Sequence, residues 1–107
     1  MEKFLAYLQK TEQAKKQESE GLKVAGRTDE ANLVKLEINL IGIFRAVYET
    51  AEKAGFDFVE KINAIKAPWE ERLTLAKAHG DFETEAQEER KLAMHETLLR
   101  GWEESKK

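Results

Sequence analysis

Residues 28–55 read TDEANLVKLEINLIGIFRAVYETAEKAG. Apolar side chains recur here at Leu33, Leu36, Leu40, Phe44, Val47 and Ala51. Steps of three and four are the repeat of one helix face, whereas a strand would alternate every second residue. A second row, Val34, Ile38, Ile41 and Tyr48, lies beside the first. Thr28 is the expected N-cap, and Asp29 and Glu30 complement the positive end of the helix dipole. Gly55 supplies a left-handed stop just after Ala54. A helix apolar on two faces packs against more than one neighbour, so this is the expected central helix.

The same repeat extends to both sides. A first helix is expected from Glu2 to Ala25, with Phe4, Leu5 and Leu8 as its apolar beginning and Gly26 as its C-terminal cap. Gly21 is an alternative, earlier stop. From Gln9 to Glu20 only Ala14 is apolar, so that half faces water. A third helix opens at Asp57, which has capping-box spacing to Glu60. Its stripe is Phe58, Ile62, Ile65, Trp69, Leu73 and Ala76. Pro68 falls inside this stripe without changing its phase, which predicts a kinked helix rather than two. After Gly80, Asp81 caps a fourth helix carrying Phe82, Ala86, Ala93, Leu98, Leu99 and Trp102. The expected fold is all-α: a single domain over 1–107, a four-helix up-and-down bundle with its third helix kinked near Pro68.

Composition narrows the class. The chain has 107 residues, no cysteine, one proline and a formal net charge of -3. Disulfide frameworks and thiolate metal sites are excluded, and a disordered Pro/Gly-rich chain is too. Net acidity argues against non-specific nucleic-acid binding. The apolar run near the start breaks at Gln9 and Lys10, short of a secretory signal. Ile38 to Tyr48 is interrupted by Asn39 and Arg45, short of a membrane span of about 20 apolar residues. A cytoplasmic protein is expected. Residues 1–28 carry a net +2 and residues 81–107 a net -3, consistent with first and last helices as neighbours. One end of the bundle should collect Phe4, Leu8, Phe58, Ile62, Leu98 and Trp102. The other should collect charged side chains and be looser, open to a partner.

Catalytic chemistry finds little support. A di-metal carboxylate bundle needs two Glu-x-x-His motifs, but Ala76 and Leu92 stand three residues before His79 and His95. His79, next to Gly80, suits a helix C-terminus. His95 beside the fourth apolar stripe suits a partly buried, hydrogen-bonded role. Ser19 and Ser105 lie in charged surroundings, and the glycines are too scattered for a phosphate loop. No catalytic, cofactor-binding or metal-ligating residue is expected. Trp69, Trp102, Tyr48, Phe44 and Phe58 sit at core spacing without the basic neighbours that base stacking uses. Gly42, between Ile41 and Ile43, would allow close approach of another backbone.

Two stretches, VAGRTDEA (24–31) and AHGDFETEA (78–86), resemble the joints of tetratricopeptide-type helical hairpins. Their glycines are 54 residues apart, against the period of 34 in those repeats. Residues 26–54 also resemble segments in small uncharacterised all-helical proteins of Gram-positive bacteria, a likeness that assigns no residue a role.

The expected function is therefore a non-enzymatic interaction or structural protein. Its surface would be the second apolar row, centred on Ile38, Ile41, Gly42 and Tyr48, which three companion helices should not cover. The expected partner is a second copy, as a homodimer, or another helical protein, with neither nucleic acid nor membrane involved. The alternatives are an adaptor that takes an amphipathic peptide helix in a groove at the charged end, and a small carboxylate-based ligand- or metal-binding bundle.

Overall fold

The computed structural model describes residues 2–107. Among them the regular structure is entirely helical: α1 Glu2–Val24, α2 Thr28–Ala54, α3 Phe58–Ala64, α4 Ala67–His79 and α5 Phe82–Ser105. Helices α1, α2 and α4 end where the sequence places left-handed glycines. Gly26, Gly55 and Gly80 have φ of 77°, 76° and 68°. At Gly26 the amide of Arg27 reaches the carbonyl of Leu22 at 2.8 Å and that of Gly26 reaches Lys23 at 3.0 Å. Asp81 to Ala76 at 2.9 Å repeats the first of these bonds at Gly80. Both are the doubly bonded left-handed cap that satisfies orphan carbonyls. Gly21 does not stop α1, which continues to Val24.

The helix starts hold one surprise. Asp57 and Asp81 cap α3 and α5 as expected, accepting from the amides of Glu60 at 3.2 Å and Thr84 at 3.1 Å. The Thr84 hydroxyl and amide together hold the Asp81 carboxyl below its ordinary pKa. Thr28, however, is not the cap of α2. Arg27 occupies that position and its carbonyl accepts the first helical bond, from Ala31 at 3.0 Å. The α1 cap already uses the Arg27 amide, so no residue is left over to set Thr28 outside the helix. The Arg27 guanidinium instead pairs with Glu30, Nε at 2.9 Å.

Pro68 corrects the expected third helix. The rod is two segments, α3 and α4, separated by Ile65 and Lys66. Pro68 sits in the first turn of α4, where a missing N–H leaves no bond unmade. It opens a helix instead of kinking one. Ile65 and Lys66 keep right-handed dihedrals (φ -72° and -84°), so the apolar phase survives the break. The Lys66 amide bonds Asn63 at 3.3 Å rather than Ile62. The Ile62 carbonyl takes His95 Nε2 at 2.8 Å, so His95 fastens α5 to the broken rod.

Packing joins α1 with α2, α2 with α5, α4 with α5, and α1 with α5, while α3 lies on α2. The core is aromatic. Phe4, Phe44, Ile41, Leu8, Ile62 and Leu98 are fully buried. Phe58 meets Phe4, Phe44 and Tyr48 edge-on at centroid distances of 5.7, 6.0 and 5.6 Å. Such pairs are worth about 0.5–1.5 kcal/mol each beyond area burial. Gly101 belongs to this end as well. A Cβ there would stand 2.3 Å from the Tyr7 ring, so α1 and α5 approach through a missing side chain.

Candidate interaction surface

The expected interface row does not face outward. Ile41 is 0% exposed and Tyr48 4%. Phe4 and Phe58 close over the Tyr48 ring from α1 and α3. Burial, and then the neighbouring Glu52, push its phenol up to about 12. Ile38 and Gly42 are half-buried. A Cβ on Gly42 would meet nothing within 4 Å, so no backbone approaches it within the chain. The fault in the expectation lies in helix rotation. The buried side of α2 is Val34, Leu40, Ile41, Phe44 and Tyr48. At 100° per residue this is turned by roughly 60° from the first apolar row.

That rotation exposes a different strip. Leu33, Leu36 and Val47, expected in the core, are half-buried, and Ile43 is 40% exposed. These four fall within an arc of about 80° on α2. They continue into shallow hollows at both ends. One hollow, between α2 and the start of α5, is lined by Leu33, Leu36 and Ala86, with Asp29 and Glu83 on its rim. The other, between α2 and α3, is lined by Ala46, Val47, Phe56 and Ile65, with Lys61 on its rim. Helix α4 packs chiefly along α5 rather than against this flank of α2. The signal available in the sequence was the phase of Ile43, which follows Leu36 after seven residues and precedes Val47 by four. Choosing between the two rows required knowing where α4 lies.

Charged groups behind the strip are already committed. Glu37, buried on α2, meets Lys15 of α1 at 3.2 Å and Arg90 of α5 at 3.3 Å. Glu88, buried on α5, meets Lys91 at 2.9 Å and Arg72 of α4 at 3.5 Å. Arg45 reaches Glu12 across α1 and α2 at 3.0 Å. His95 is buried, with Phe44 and Trp69 edge-on to its ring. Burial depresses its pKa. Lys66 adds to that depression, against the opposing pull of the Ile62 carbonyl and Glu70. His79 ends α4, where a cation suits the dipole. Among the described residues no group of three or more His, Cys, Asp or Glu is placed to hold a metal ion. Nor is any helix there long and apolar enough to cross a membrane.

No family model matches the chain, and neither a curated protein nor a solved structure does.

Proposed function

We propose that this is a non-enzymatic interaction protein, resident in the cytoplasm, that self-associates through the outer flank of α2. The scaffold in this reading is an up-and-down bundle of four rods, with α3 and α4 together as the third. The observation that carries the reading is the strip Leu33, Leu36, Ile43 and Val47, about 21 Å long on one helix. Of these, Ile43 is exposed and the other three are half-buried, and apolar surface rimmed by charge is the usual mark of an interface. The aromatic core backs the Val47 end of the strip.

Light scattering tests this directly. The wild-type protein should show a molar mass above that of one chain at high micromolar concentration. Ile43→Glu should return it to a monomer while circular dichroism stays unchanged, because Ile43 is outside the core. A wild-type protein that is strictly monomeric at that concentration overturns self-association. A second reading is favoured by one feature, the acidic rim of Asp29 and Glu83 around the hollow between α2 and α5. That rim suits a basic amphipathic helix from another protein. A monomer that binds a Lys-rich amphipathic peptide, with the binding lost in Leu36→Glu, would support it.

A further inference from the structure

We propose that two copies of this chain meet in antiparallel fashion, α2 against α2, around a two-fold axis near Leu40. The inference rests on the self-association reading above and adds its geometry and its charge pairing. The strip is electrically asymmetric along its length. Its first end carries Asp29 and Glu83 on the rim, and its second end carries Lys61. Both hollows open on the Leu33–Val47 side of α2, one bordered by the α5 start and the other by Lys61 of α3. A two-fold perpendicular to α2 turns that side onto itself and reverses its direction. Asp29 and Glu83 of one copy then lie toward Lys61 of the other, twice by symmetry. A parallel pair brings the acidic ends together, which like-charge repulsion disfavours. The strip residues also pair with one another across this axis, because Leu33 and Val47 stand equally far along the helix from the buried Leu40, and Leu36 and Ile43 nearly so. The occupant is thus a second copy, held by an apolar strip and placed in register by charge. One helix strip is at the small end of specific interfaces, so dissociation in the micromolar range is expected.

The absence of cysteine makes a clean test possible. Asn32 and Thr50 are exposed and share one side of α2, close to the strip. In the antiparallel pair position 32 of one copy lies near position 50 of the other. A mixture of Asn32→Cys and Thr50→Cys proteins should oxidise to a disulfide-linked heterodimer, with little product from either variant alone. Efficient cross-linking of Asn32→Cys with itself would establish a parallel pair and overturn the proposal. So would a dimeric mass with no mixed cross-link. A monomeric wild type would defeat the underlying self-association instead, so the two failures are separable by mass. As a second measurement, Lys61→Glu should weaken the dimer about threefold to tenfold. Combining it with Asp29→Lys and Glu83→Lys should restore affinity. Circular dichroism should confirm that each variant is folded. Dimerisation insensitive to these reversals would reject the charge register.

Discussion

Toward its C-terminus α2 is fixed by rings: Phe44 and Tyr48 sit among Phe4, Phe58 and His95, all buried. Toward its N-terminus the same helix buries Glu37, held by Lys15 and Arg90. The first arrangement removes apolar surface from water, at about 25 cal/mol per Å2. The second must first desolvate charges, which the ion pairs offset only in part. One helix therefore has a strongly held half and a half whose contacts specify alignment more than they stabilise. The buried and half-buried residues of α1 differ accordingly, with Phe4 and Leu8 at one end and Lys15 and Ser19 at the other.

The sharpest way to break the contrast is to empty the aromatic end. Phe44→Ala removes a fully buried ring from contact with Phe58 and His95. Chemical denaturation should show a loss of about 3–5 kcal/mol. At the charged end the expected cost is smaller. Glu37→Ala leaves Lys15 and Arg90, both partly exposed, free to turn toward water, and should cost about 1–2 kcal/mol by the same measurement. Replacing all three together (Lys15→Met, Glu37→Leu, Arg90→Met) should be neutral or stabilising, as for other buried ion clusters. A loss as large as that of Phe44→Ala would show that the ion network carries the fold equally.

Acid provides a finer probe. The folded His95 pKa is lowered from 6.5, so the unfolded chain binds the proton more readily. The contribution of neutral His95 is complete above pH 6.5 and is lost as pH falls below that value. His95→Gln keeps a donor for the Ile62 carbonyl and should flatten this part of the stability profile, measured as Tm between pH 7 and 5. An unchanged slope would mean that the imidazole titrates alike folded and unfolded. The smallest effect should appear in native-state hydrogen exchange. Amides around Val34 and Glu37 should exchange through lower-energy openings than those around Phe44, and uniform protection along α2 would remove the distinction between its halves.

Much of the architecture was legible from local rules. The glycines at 26, 55 and 80 and the aspartates at 57 and 81 mark helix ends through short-range backbone geometry, which needs no neighbours. The aromatic end of the core was legible too, since Phe4, Phe58, Ile62 and Leu98 hold apolar phase on three helices. The interaction surface was not. Ile41 and Tyr48 were expected outside and are inside, while Leu33, Leu36 and Val47 were expected inside and are only half-buried. Pro68 was read as a kink within one helix because the stripe keeps phase across it, whereas it begins a new helix. Periodicity states that a helix has an apolar side and how wide it is. It leaves open the rotation that turns part of that side to water, because neighbouring rods choose the angle by what they can cover. Helical class and chain reversals therefore follow from residue order alone. The exposed flank of α2, the burial of Glu37 and the His95 clasp exist only once α1, α4 and α5 have taken their places.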